Sequence, residues 1–419
     1  MSLRANQIGA LASAIGELAK LDAPADALLH RFFRAHPEMG QQDRAFVAEG
    51  AFAWLRHRRS LETLAQTTAP ARLAIAVTVR ELGHSIRELQ EALRPDAIEW
   101  LRAFKARLAT PLEGAIAHDL PDWLWERLQA TFGEAEAAAL ARALAQPAPL
   151  DLRINTLKTT REAARAGLAA AGIPAEPTPY STVGLRVPGR PALNRHPLFI
   201  AGDIEIQDEG SQLVGWLVAP RRSDMVVDFC AGSGGKTLLL GMLMRSQGRL
   251  YAFDVSEKRL ANLKPRLARS GLSNVHPQVI ASERDTRVKR LAGKIDRVLV
   301  DAPCTGFGTL RRNPDLKWRQ TATGLAELVQ KQTAILDAAA TLLKPGGRLV
   351  YATCSILPDE NEEVVNAFLA SHPQFHAISV AEELARAKIP LDTGPMLRLF
   401  PHVHGCDGFF AAIIERGEA

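Results

Sequence analysis

Met225-Val226-Val227-Asp228-Phe229-Cys230-Ala231-Gly232-Ser233-Gly234-Gly235-Lys236-Thr237 is the stretch whose reading decides the fold. Its first five residues have the composition of a buried strand. Lys236 to Met244 then reads as a helix. The glycines between them let a ligand approach the backbone closely, beside the free N–H groups of a helix start. The alternation continues downstream. Leu250-Tyr251-Ala252-Phe253, Val275 to Ile280, Arg297 to Val300 and Arg348 to Tyr351 are expected strands, with helices over Glu257 to Ser270 and Leu325 to Leu343, and Gly408 to Ile414 forms a last apolar strand. Strands alternating with helices predict an α/β domain of Rossmann-like type over 221–419, its mostly parallel sheet covered by helices on both faces.

Two further regions precede it. Asp151 to Lys158 alternates polar and apolar residues, as a strand does, and Thr160 to Ala171 suits a helix ended by Gly172. Prolines and glycines are frequent up to Phe199, Asp203-Ile204-Glu205-Ile206 is a short strand, and Gln207 to Gln212 begins a helix. Residues 148–220 are therefore expected to form a small α/β subdomain. Its Arg153, Asn155 and Lys158 either grip an RNA backbone or form the exposed face of an edge strand. Residues 1–147 are rich in Ala, Leu, Arg and Glu, with apolar residues at helical spacing (Leu28, Leu29, Phe32, Phe33; then Phe46, Ala53, Trp54), and predict an all-helical domain. Arg56, His57, Arg58 and Arg59 form a basic cluster there, either a solvated helix end or an RNA contact.

A chain of 419 residues is too long for one core, and 47% hydrophobic with 23% charged residues describes a globular protein. The net charge of +5 permits a polyanionic partner without proving one. The four cysteines, Cys230, Cys304, Cys354 and Cys406, lack CxxC spacing, so neither a metal cluster nor a disulfide framework is expected. No run approaches the ~18 apolar residues of a membrane span, and Glu17 and Lys20 interrupt the first segment. A cytoplasmic protein with reduced thiols, acting as a monomer, is expected.

The loop Cys230-Ala231-Gly232-Ser233-Gly234-Gly235-Lys236 fails two standard motifs. A Walker A loop needs Gly at Cys230, and the dinucleotide fingerprint needs Gly at Thr237. Asp254 ends the next strand about 20 residues on, where an acid suits two ribose hydroxyls. Asp285 follows the third strand and could hold an adenine amino group. Each acid alone is as well explained as a cap or a surface charge. Together with the loop, and with Arg259 in the same set, they favour S-adenosylmethionine.

Two thiols end strands in the same manner: Cys304 in Asp301-Ala302-Pro303-Cys304, and Cys354 in Tyr351-Ala352-Thr353-Cys354-Ser355. Ligands of open α/β sheets bind at that edge. A thiolate adding to carbon 6 of cytosine makes carbon 5 nucleophilic enough to accept a methyl group, which divides one hard step into easier ones. Ionising an ordinary thiol at pH 7 costs ~2 kcal/mol. Lys236, Lys317 and the sulfonium of the donor are candidates to offset that cost. Asp301 is placed to hydrogen-bond N3 of the ring if it is protonated, and the second thiol could remove the carbon 5 proton.

These residues carry a resemblance. The chain resembles the Sun-domain (Nol/Nop/Sun) RNA cytosine-5 methyltransferases, closest to the bacterial RsmB type. The matching stretches are Asp208-Glu209-Gly210-Ser211-Gln212, the glycine loop, Asp301 to Cys304, Arg311-Arg312-Asn313-Pro314-Asp315-Leu316-Lys317-Trp318, Ala352 to Ser355, Glu360-Asn361-Glu362 and Asp407 to Phe410. The helical start is similar to the NusB-like RNA-binding domain of that type. The resemblance implies Cys354 as nucleophile and Cys304 as the residue assisting product release. It also implies Asp254, Asp285 and Asp301 around the cofactor and base, and small-subunit ribosomal RNA as substrate, with transfer RNA the alternative. Arg311, Arg312 and Lys317 would contact RNA phosphates. Gly232-Ser233 stand where the family has Ala-Pro, and Phe307 where a small residue is usual. A DNA cytosine methyltransferase with Cys304 as nucleophile, and a non-catalytic RNA-binding assembly factor, are the competing readings.

Overall fold

The computed structural model describes residues 3–418, so the first two residues of the expected helical domain and the last of the expected catalytic domain lie outside it. The backbone packs as two compact units. One comprises the chain through Pro147 together with Thr309–Ala322; the other runs from Ala148 to Gly308 and from Thr323 onward.

The first unit is helical, with helices at Ala5–Leu18, Ala25–Ala35, Gln41–Arg56, Arg58–Ala65, Pro70–Arg80, Pro95–Arg107, Asp122–Phe132 and Glu134–Leu144 among its elements. Leu11, Ile15, Trp54, Leu55, Leu61, Leu101 and Phe104 form its centre. They recur at three- and four-residue spacing because a helix buries one stripe of its surface. The inserted segment Thr309–Ala322 is distant in sequence but folds with these helices. Trp318 packs against their core, and its indole N–H donates to the Leu55 carbonyl at 2.7 Å. The buried Lys317 amine donates to the Arg56 carbonyl at 2.7 Å, at the end of a helix, where the backbone dipole favours a cation. Burial lowers the Lys317 pKa to about 8.

The second unit holds two sheets. Strands β1 (Leu150–Ile154), β2 (Glu176–Pro177), β3 (Gly184–Val187) and β4 (Ile204–Ile206) form a small antiparallel sheet in the order β2-β3-β1-β4. Helix Arg161–Ala170 joins β1 to β2, its Thr160 hydroxyl accepting from Ala163 N. The large sheet contains β5 (Met225–Asp228), β6 (Arg249–Asp254), β7 (Val275–Val279), β8 (Ile295–Asp301), β9 (Leu343–Thr353), β10 (Phe375–Ile378), β11 (Leu397–Leu399) and β12 (Phe409–Arg416), in the order β10-β12-β9-β8-β5-β6-β7 with β11 beside β12. The pairs from β9 through β7 are parallel, and β12 runs antiparallel to β9. This is the expected Rossmann-like architecture. Val226, Leu250, Leu299 and Val350 pack into one face layer, Val227, Val298, Leu349 and Tyr351 into the other, because successive strand residues point to opposite faces.

β9 starts earlier than the sequence reading placed it. Its register against β8 jumps from Ile295–Leu343 to Arg297–Arg348, and Gly346 adopts a positive φ of 70°. The expected Gly-Gly turn is thus a bulge within one long strand, which a local reading divides into turn and strand. No helix among the described residues is long and apolar enough to cross a membrane.

Candidate active site

β5 lies between β6 and β8, so the chain proceeds from it in both directions across the sheet. In open α/β sheets the ligand crevice lies at the carboxyl ends of the strands where the order reverses. The loop after β5 sits at that point. Ala231 N donates to Phe253 O at 2.8 Å and Gly234 N to Ala231 O at 2.9 Å. Gly232 and Gly234 have φ of 56° and 83°, conformations that side chains resist. Gly232-Ser233 thus forms the tight turn that the departure from Ala-Pro has to supply. Helix Gly235–Leu243 follows directly.

Asp254 ends β6 and is buried. One carboxylate oxygen accepts from Gly232 N at 2.8 Å and the other from Ser256 N at 2.7 Å. The exposed Arg259 approaches it at 3.6 Å. Each carboxylate oxygen can accept a second hydrogen bond, so Asp254 is oriented but still able to accept from a ligand. Lys236 points to the end of β8, where its amine donates to Asp301 at 2.8 Å. Burial acts to lower the Lys236 pKa, but the charge and hydrogen bond of Asp301 outweigh it, and the net shift is upward. Asp228, fully buried at the end of β5, accepts from the Thr237 hydroxyl at 2.7 Å. Its second oxygen is buried without a hydrogen bond, and burial raises its pKa to about 7.

The Sγ atoms of Cys304 and Cys354 are 3.4 Å apart. β8 and β9 are neighbours in parallel register, with Asp301 opposite Ala352, so the loops that follow them emerge side by side. The contact with Cys354, and burial, hold the Cys304 thiol well above the ordinary thiol range. The Cys354 loop is fastened by Gly308 N, which donates to Cys354 O at 2.8 Å, and by Asn361 Nδ2, which donates to Ser355 O at 3.2 Å. Cys230 also lies in the crevice loop, and burial pushes its thiol strongly upward.

Models of two families match the chain. "16S rRNA methyltransferase RsmB/F" covers residues 215–415, and the ferredoxin-like domain of RsmF/B-like methyltransferases covers residues 120–193. The probable ribosomal RNA small subunit methyltransferase B of Synechocystis is 37% identical over 303 residues, 71% of this chain and 67% of its own length. The ribosomal RNA small subunit methyltransferase B of Sodalis glossinidius is 35% identical over 84% of this chain and 78% of its own. The chain belongs to the RsmB/F methyltransferase family. In fold, the crystal structure of PH0851 superposes with a TM-score of 0.80 at 27% identity, covering 99% of this chain and all of that one. The ferredoxin-like match crosses Pro147, the limit that the sequence reading set for the helical domain.

S-adenosylmethionine is the cofactor of a methyltransferase of this family, and the crevice fits it. The positive-φ glycines expose backbone beside a helix start, and Asp254 keeps acceptor capacity at the end of β6. Asp285 has a more local engagement. It caps helix Thr286–Lys289, accepting from Ala281 N and Arg287 N at 2.8 Å each, and these bonds lower its pKa.

The residues read as RNA contacts in the RsmB/F chain are placed differently from the thiols and acids. The Arg153 guanidinium is buried and donates to Gln207 Oε1 and to Gly235 O. Asn155 donates to Gly202 O and Ser270 O, and Lys158 to Ala201 O and Arg269 O. Arg153 in β1 and Asn155 just after it are buried, so no exposed face forms there; Lys158 is exposed, and all three groups bind the small sheet to its own unit. In the helical unit Lys317 is buried, Arg311 is nearly so, and Arg312 is half-buried. The basic cluster is engaged there too. Arg56 donates to Arg311 O, Arg58 pairs with Glu62, Arg59 with Asp122, and His57 contacts Asp119. Phe307 is fully buried, so its ring belongs to the packing. Sequence reasoning assigned no role to Asp228 or to the buried Glu360. For Asp228 the local signal was a charge within an apolar run; Glu360 stands among Asp359, Asn361, Glu362 and Glu363, and nothing local marked its burial.

Proposed function

We propose that this chain forms 5-methylcytosine in small-subunit ribosomal RNA, with Cys354 as nucleophile and Cys304 as the residue that resolves the adduct. The observation that carries this reading is the pair of thiols 3.4 Å apart at adjacent strand ends. A methylation that needed no covalent step would have no use for two. The named relatives, ribosomal RNA small subunit methyltransferases, support the substrate.

The Cys354 thiolate adds to carbon 6 of the cytosine, and the displaced electron pair makes carbon 5 nucleophilic. The Lys236–Asp301 pair sits beside this step. Its ammonium is kept protonated by Asp301, so the pair stabilises negative charge that develops at N3. The bound donor supplies an electrophilic methyl group, which carbon 5 takes. Cys304, having released its proton to solvent, then takes the carbon 5 proton; the carbon–hydrogen electron pair re-forms the carbon 5–carbon 6 double bond, and the Cys354–carbon 6 bond breaks with the sulfur leaving as thiolate. A thiol held well above the ordinary range is a strong base once deprotonated, and the step leaves Cys304 as thiol and Cys354 as thiolate, ready for the next turnover. The base must be unstacked to expose both carbons, so the target is a loop or a flipped nucleotide.

Labelled methyl transfer from S-adenosylmethionine to unmodified ribosomal and transfer RNA tests this, with wild type beside Cys354→Ala. The expected result is 5-methylcytosine in small-subunit RNA with wild type and none with the variant. Full activity in Cys354→Ala would overturn the choice of nucleophile, and product in transfer RNA alone would overturn the substrate.

A further inference from the structure

We infer that Glu360 is a positioning residue that sets the spacing of the two thiols, an inference that rests on the roles proposed above for Cys304 and Cys354. Glu360 ends the short turn Pro358–Glu360 and is fully buried. A buried carboxylate is costly unless several donors satisfy it, and here three do. Oε1 accepts from Thr305 N at 2.8 Å and from Gln332 Nε2 at 2.9 Å; Oε2 accepts from the Thr305 hydroxyl at 2.5 Å. Gln332 also donates to Pro303 O at 3.0 Å. The residues on both sides of Cys304 are therefore held by one carboxylate and one amide.

The same network reaches the other thiol. The Thr305 hydroxyl lies 3.3 Å from the hydroxyl of Ser355, the residue after Cys354. The Tyr351 hydroxyl, from β9, donates to Glu360 O at 2.7 Å. Glu360 thus joins the loop after β8 to the loop after β9, and neither cysteine supplies the joint itself. A glutamine would put an amide N–H₂ against donors on one side of the network. Thr305→Val would remove the hydroxyl and keep the backbone donor.

The test uses the purified full chain as wild type, Glu360→Gln, Thr305→Val and Cys304→Ala, with thermal melting of each. The first readout needs no RNA. Diamide takes two thiol hydrogens as it is reduced to the hydrazine, and the Cys304–Cys354 disulfide is followed by mass spectrometry of the linked peptides. Wild type should cross-link readily, and both network variants roughly tenfold more slowly, since a displacement of about 1 Å at reacting groups costs on the order of 10²-fold. The second readout is methyl transfer and denaturant-stable RNA adduct. Glu360→Gln should lower kcat by roughly tenfold or more, leave KM for RNA unchanged, and accumulate adduct as Cys304→Ala does. Cross-linking within twofold of wild type in both variants overturns the inference, as does a wild type that does not cross-link. If Glu360→Gln fails to fold, Thr305→Val alone decides. Absence of adduct in Cys304→Ala counts against the proposed chemistry instead, and leaves the cross-linking result to stand on its own.

Discussion

The sulfur atoms of Cys304 and Cys354 lie 3.4 Å apart although 50 residues separate them in the chain. Parallel pairing of β8 with β9 produces this, because equivalent strand ends emerge together. A nucleophile and its resolving base need that proximity.

Replacing Cys304 by alanine should leave the first half of the reaction intact. A denaturant-stable complex between protein and ribosomal RNA should accumulate, and multiple turnover should fall by roughly 10²-fold or more, the usual contribution of a positioned base. Gel analysis of labelled RNA reads the complex directly. Unimpaired turnover would assign the carbon 5 proton to another group.

Gly308 has no room for a side chain. A Cβ there would lie 2.1 Å from Gly408 O and 2.8 Å from Cys354 O, both backbone atoms that cannot swing aside. Gly308→Ala should cost about 3 kcal/mol, at the upper end of overpacking effects, and should displace the Cys354 loop. Denaturant melts with methyl transfer on the same samples measure both. A loss below about 0.5 kcal/mol, the level of a neutral surface change, would show that the two loops are free to separate.

Asp228 should make stability depend on pH. Its folded pKa of about 7 stands above the ordinary 3.8. Between those values the folded chain holds a proton that the unfolded chain has released, so stability falls as pH rises through this window and levels off above pH 7. Asp228→Asn removes the titration. Relative to wild type the variant should gain on the order of 3 kcal/mol between pH 4.5 and 8, each pKa unit being worth ~1.4 kcal/mol. The fixed effect of the amide cancels in that comparison. A difference that stays constant with pH would mean that Asp228 is ionised in the fold.

Lys317→Ala should weaken the helical unit. It removes a buried donor from the Arg56 carbonyl, 261 residues away in the chain, and a charged hydrogen bond of this type contributes about 1.5–3 kcal/mol. Faster proteolysis within residues 309–322 and a lower urea midpoint are expected. If Lys317 instead served RNA alone, binding would fall while the urea midpoint stayed in place.

Much of the catalytic unit was legible from short stretches. The strand, glycine loop and helix from Met225 to Thr237 were readable as such, because glycine spacing and apolar runs are local properties. The same holds for helix Glu257–Ser270, whose Ser256 caps its start and whose Gly271 takes a φ of 78° at its end. Asp254, Asp301, Cys304 and Cys354 could each be placed at a strand end before any strand was paired.

What only the tertiary structure decided was the partner of each polar group. Arg153, Asn155 and Lys317 look like nucleic-acid contacts in sequence, since a basic or amide side chain carries no mark of its destination. In the fold they bond carbonyls that lie far away in the chain. The Glu360 network and the raised pKa of Asp228 have the same origin. Burial and hydrogen bonding depend on which surfaces pack together, and that is settled by the sum of long-range contacts, not by neighbours along the chain.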